Sequence, residues 1–161
     1  STATIGGVSA TVHQSITTQQ AQMFTISAVV PTGTTGTVVL NFSTTMANSA
    51  IDVYSITGYL STTPVITEQD VETSAAPSTT FSPDANTVVI SQAVVFQSGV
   101  ATWTWSGTAG LAEQSDRVTY TSNQTVTSAF KLFTSSGASL TATATPTAGT
   151  TNRRMLTIGF K

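Results

Sequence analysis

Charge is what this chain has least of. Of 161 residues, five are Lys or Arg and seven are Asp or Glu, 7% in all, where globular domains carry about 25%. With a formal net charge of −2, no basic surface able to neutralise a run of phosphates can be assembled, which argues against nucleic acid as a partner. Cysteine is absent, so disulfides and thiolate sites are excluded and the compartment is left open. No apolar run approaches the ~18 residues of a membrane-spanning helix, and no signal-peptide pattern is present, so no membrane segment is expected. The chain starts at Ser1 without methionine, as expected of a processed product or of the C-terminal part of a longer protein. A phosphate-cradling glycine pattern ahead of a helix is also missing; the glycines are scattered turn residues. No cofactor is expected. The single histidine, His13, has neither a nucleophile nor an orienting group near it in sequence. It reads as a surface histidine rather than a general base.

Hydroxyls and β-branched carbons take the place of charge. Serine and threonine make up about a third of the chain, and the mean hydropathy is +0.17. Low charge signals disorder when hydrophobicity is also low; here the apolar residues recur in alternation, which points to a folded β protein. Threonine suits this composition, because its branched Cβ favours a strand and its hydroxyl keeps an exposed face wet.

The densest apolar stretch, 86–105, predicts a central hairpin turning at Gln97-Ser98-Gly99. In 88–96 one face carries Val88, Ile90, Val94 and Phe96 around Gln92, and the other carries Val89, Ala93 and Val95 around Ser91. Such a strand is covered on both sides. Its expected partner places Ala101, Trp103 and Trp105 on one face, and Ile90, Val94, Phe96 and Trp103 are expected to be almost fully buried. A second hairpin is expected from 22–30 and 37–43 around a Pro/Gly-rich turn at 31–36. Residues 50–57 read as an inner strand, 65–73 as an acidic edge strand, and 79–81 as a short strand. Residues 106–116 read as irregular, followed by strands at 117–121, 124–133, 140–145 and 154–160. About ten strands with no helical period predict one all-β domain over 1–161, an antiparallel, jelly-roll-like β-sandwich.

Few constellations carry chemistry. Glu68, Asp70 and Glu72 alternate, so a strand places all three carboxylates on one face; a bound Ca²⁺ would relieve their repulsion. The plainer reading is an edge strand guarded by charge. Glu113 and Asp116 are the other neighbouring acids, too unspecific for a glycosidase pair. Trp103, Trp105 and Tyr120 are candidates for a sugar-stacking platform, against a core role for the tryptophans. Asn41-Phe42-Ser43 and Asn123-Gln124-Thr125 match the glycosylation sequon, a frequent coincidence in a Ser/Thr-rich chain. Arg153-Arg154 reads as a solvated turn.

The phrases ATIGGVSATVHQS, VVPTGTTGTVVLNFS and SAIDVYSITGYLSTTP, followed by a Thr/Ala strand leading to RRMLTIGFK, occur in that order. Together they resemble a β-sandwich module of bacteriophage and prophage virion proteins, over roughly residues 2–161. Where that family continues into an acidic Glu-Asp loop, Thr104-Trp105-Ser106-Gly107 here leads to a more polar segment containing Glu113 and Asp116. The resemblance implies a non-enzymatic virion structural protein: a capsid decoration, fibre or tail-surface module exposed on the particle. Its implied partners are other virion proteins and copies of itself, with host-surface glycan as a further contact. A carbohydrate-binding adhesin and a subunit of a bacterial surface filament are the alternative readings.

Overall fold

The computed structural model describes residues 2–17, 22–31, 36–43, 45, 49–96, 101–120, 124–148 and 151–161. Among them the chain forms thirteen strands and no helix. These are β1 (Thr2–Ile5), β2 (Val8–Ser9), β3 (Thr11–Thr17), β4 (Gln22–Ser27), β5 (Val38–Asn41), β6 (Ile66–Glu72), β7 (Ser78–Phe81), β8 (Thr87–Phe96), β9 (Trp103–Ser106), β10 (Ala112–Tyr120), β11 (Gln124–Phe133), β12 (Leu140–Pro146) and β13 (Thr151–Phe160). Every pairing is antiparallel. The fold is all-β and sandwich-like, as the alternation predicts. The chain divides into two compact units, Ser1–Ser49 and Ala50–Lys161.

In the first unit, β1 pairs with β2 on one side and β5 on the other, and β3 pairs with β4. Gly6 and Gly7 make the two-residue turn between β1 and β2, with φ of 57° and 79°. Positive φ at both central residues is the type I′ requirement that favours glycine. The expected hairpin of 22–30 with 37–43 does not form: β4 takes β3 and β5 takes β1. Part of its expected turn, 32–35, lies outside the described residues.

The second unit sets a five-stranded sheet, order β10-β11-β8-β13-β6, against a three-stranded sheet, order β7-β12-β9. β8 is the middle strand, with Ile90 opposite Phe130 of β11 and Ile158 of β13. Thr87, Val89, Ser91, Ala93 and Val95, its inner face, are each 0% exposed. They form the core with Ala129, Phe133, Met155 and Ile66 from the same sheet and Phe81, Ala142, Ala144 and Trp103 from the facing one. Phe81 meets Phe133 edge to face at 6.2 Å, the geometry aromatic quadrupoles prefer. A hydroxyl pair crosses the same interface, Thr157 bonding Thr79 at 2.7 Å, and Thr157 also bonds its ladder neighbour Ser91 at 2.8 Å within the five-stranded sheet. Small alanines and β-branched threonines let the two layers approach, and among the described residues every buried hydroxyl except Thr87 Oγ1 finds a partner.

This arrangement corrects the central hairpin. β8 pairs with β11 and β13, and β9 pairs with β12 in the opposite sheet; the turn expected at 97–99 lies outside the described residues. Val94 and Trp103 are buried as expected, whereas Ile90 and Phe96, on the outer face of β8, are half-buried. Arg153 and Arg154 do not form a solvated turn. They lie within β13, and buried Arg154 donates from Nη1 to the carbonyls of Glu72 and Arg153. Residues 112–116 are the first half of β10 rather than irregular chain. As an edge strand with register shifts at Glu113/Ser115 and Val118/Tyr120, β10 lacks the apolar alternation that marks an inner strand.

Candidate functional site

The acidic residues have identifiable employment. In β6, Glu68, Asp70 and Glu72 pair with Thr157, Met155 and Arg153, so all three stand on one face as the alternation predicts. Successive same-face residues of a strand are ~7 Å apart, too far for carboxylates to converge without help from a loop. Among the described residues no three of His, Asp and Glu gather closely enough to hold a metal ion. The Asp70 carboxylate accepts the Ser78 N–H at 2.7 Å and the Val71 N–H at 2.9 Å. Across the sandwich, the Asp116 carboxylate accepts the Trp103 N–H at 2.8 Å. Burial, and then the charge of Asp116, push the carboxyl of Glu113 above its ordinary value.

The aromatic candidates separate. Trp103 is 5% exposed and belongs to the core. Trp105 is half-buried against the same core, and its Nε1 donates to Thr127 Oγ1 at 2.9 Å. Both indoles therefore pack inward. Tyr120 is the last residue of β10, and its side chain lies outside those described.

His13 occupies a register shift in the β3–β4 ladder between Val12 and Gln14. Its Nε2 bonds the Ser27 hydroxyl at 2.7 Å, a pairing that the sequence spacing did not reveal. Partial burial lowers its pKa and favours the neutral ring. All seven acids follow residue 49, so the Ser1–Ser49 unit contains no carboxylate to orient the imidazole. In the same unit an open hollow of about 570 Å³ is lined by Thr4, Gly6, Gly7, Gly36, Thr37 and Val39, none of them ionisable.

The most built polar cluster lies on the outer face of the five-stranded sheet, and sequence reasoning missed it. Residues 50–57 run extended with no strand partner. Asp52, Tyr54 and Ile56 turn toward the protein, and Ile51, Val53 and Ser55 are exposed. The Asp52 side chain is 9% exposed and pairs with Arg117 Nη2. It also accepts Gln92 Nε2 at 3.1 Å and Ser115 Oγ at 3.4 Å. Arg117 Nη1 donates to the Ile51 carbonyl at 2.9 Å, and Ser115 Oγ lies 3.0 Å from Ser128 Oγ. The Tyr54 ring meets Phe130 edge on at 5.9 Å. Burial raises the pKa of its hydroxyl, partly offset by a hydrogen bond with Ser128. With three donors around it, the carboxylate anchors the segment to the sheet. Farther along, the N–H groups of Leu60 and Ser61 donate to the Lys161 carbonyl, and that of Val65 to Gly159.

Comparison with protein-family models, with curated proteins and with solved structures returns no match to this chain.

Proposed function

We propose that the protein is a non-enzymatic structural module of a bacteriophage virion, acting through repeated contacts with copies of itself and with other virion proteins. The reading begins from the ordered strand and turn phrases that resemble virion modules. The observation that carries it farthest is the use made of the chain's few charges. Asp52, Asp70 and Asp116 each bind strands or segments together, and Asp84 pairs with Lys161. Polar chemistry thus serves rigidity, and the remaining surface is largely hydroxyl and apolar. A surface of that kind associates through shape and hydrogen bonding, with little for salt to screen. The inward packing of Trp103 and Trp105 makes the sugar-platform reading the weaker one.

The test is the mass of the purified protein in solution over a wide concentration range, with binding to the particle of origin measured beside it. Self-association or particle binding that persists at high salt is the expected result. A strict monomer with no affinity for the particle overturns the proposal.

A further inference from the structure

We infer that the extended segment 51–57 is a docking strand whose partner is the same segment of a second copy, paired antiparallel across a two-fold axis. The inference rests on the multi-copy reading above and names the contact it uses.

The segment has every property of a paired strand except the pair. Its sequence, IDVYSIT, is rich in β-branched residues and alternates between half-buried and exposed positions, as a strand with one covered face does. Yet among the described residues the Ile51 carbonyl, which accepts from Arg117, is the only main-chain group of 51–57 with a partner. Backbone N–H and C=O groups held in extended geometry are the template that strand addition uses. The segment is also held in shape beforehand. Asp52 is fixed by Arg117, Gln92 and Ser115, and Tyr54 by Phe130 and Ser128. Much of the ordering cost of docking is therefore met on folding.

The placement of charge favours a second copy as the occupant. A two-fold antiparallel pair places each residue near its own counterpart or a close neighbour, so an exposed charge would meet its like. Asp52 is the only charged residue in 50–64, and it is turned inward and neutralised by Arg117. The outward row, Ile51 at 41% exposure, Val53 at 68% and Ser55, carries no charge. The edges of the five-stranded sheet differ. β6 presents exposed Glu68, and β10 carries Glu113 and two register shifts, devices that discourage edge pairing. Leu132, exposed at 56% on the same outer sheet face as Phe130, adds apolar surface of the kind a second copy would cover.

The experiment uses the full chain. Val53→Lys puts a charge into the middle of the uncharged outward row, beside its own counterpart where the axis lies near residue 53, and a side chain this exposed tolerates lysine. Thermal unfolding checks that the variant folds. Because the chain has no cysteine, single replacements Ile51→Cys, Val53→Cys, Ser55→Cys and Thr57→Cys report on the contact directly. Opposed Cα atoms in an antiparallel pair are ~4.5–5.5 Å apart, within disulfide reach. The expected result is a wild-type dimer that Val53→Lys weakens at least tenfold, with disulfide formation concentrated at the position nearest the axis. If the wild type associates while Val53→Lys keeps the same mass and all four cysteines cross-link equally slowly, this contact is wrong and the multi-copy reading stands. A wild type that is monomeric in solution and on the particle removes both. Should Val53→Lys not fold, the cysteine series alone decides.

Discussion

The carboxylate of Asp116 accepts the backbone N–H of Trp103 at 2.8 Å, so an edge strand of the five-stranded sheet holds an edge strand of the three-stranded sheet. Asp70 does the same at the opposite edge, accepting the N–H of Ser78 from β6 to β7. Two aspartates thus close the two open sides of the sandwich, each meeting a main-chain donor that has no ladder partner on that side.

Asp116→Ala and Asp70→Ala are each expected to lower stability by about 1–3 kcal/mol, the usual loss for a charge-assisted bond to a main-chain donor. The asparagine variants, which keep an acceptor, should lose less. Urea unfolding of the singles and the double reads this out. The two losses should add, because the sites lie at opposite edges.

Thr157→Val removes the middle hydroxyl of a buried three-membered chain and leaves those of Thr79 and Ser91 without it. The expected cost is about 2–4 kcal/mol, since an unsatisfied buried hydroxyl loses its desolvation energy in full. Replacing all three with Thr79→Val, Ser91→Ala and Thr157→Val should recover most of that loss. A triple variant less stable than Thr157→Val would refute the account.

Gly107 sits at φ +101°, and a Cβ built there falls 2.4 Å from the Thr141 carbonyl oxygen. Gly107→Ala should therefore cost about 2–4 kcal/mol, from backbone strain and from displacing β12. A melting temperature equal to wild type would contradict the turn geometry.

Partial burial lowers the folded-state pKa of His13 below 6.5. Between that lowered value and 6.5 the unfolded chain binds more protons than the folded one, so stability rises with pH across the window and falls as pH drops through it. His13→Gln should flatten this part of the stability–pH curve. An unchanged slope would assign it to other groups.

Chelator treatment and millimolar Ca²⁺ should both leave the melting temperature unchanged, because Asp70 is already bonded to two N–H groups. A rise of several degrees with Ca²⁺ would place a cation at Glu68, Asp70 and Glu72.

What the sequence made legible was local. β8, β11 and β13 announce themselves because inner strands alternate apolar residues that nothing else explains. Partner choice did not follow, because it is decided by distant residues. β8 and β9 are neighbours in the chain, yet Val95 faces Thr125 while Trp105 faces Ala144. The run 50–57 carried the strand pattern but no sign that its backbone would go unpaired. Asp52 was unreadable for a related reason: its partners Gln92, Ser115 and Arg117 come from two other strands. β10 was hidden by its bulges, and Arg154 by the habit of assigning paired arginines to solvent.

The place of β13 has a consequence for how the chain acquires its shape. It lies between β6 and β8, with Gly159 opposite Ile66 and Phe160 opposite Val88, while both of those strands are synthesised long before it. Until Thr151–Phe160 emerges, β6 has no ladder and β8 has one open side. Closing such distant pairs places the molecule among slow, topology-limited folders. During synthesis, the apolar run of β8 stays open to unintended strand partners, which makes the nascent chain more aggregation-prone than the finished one.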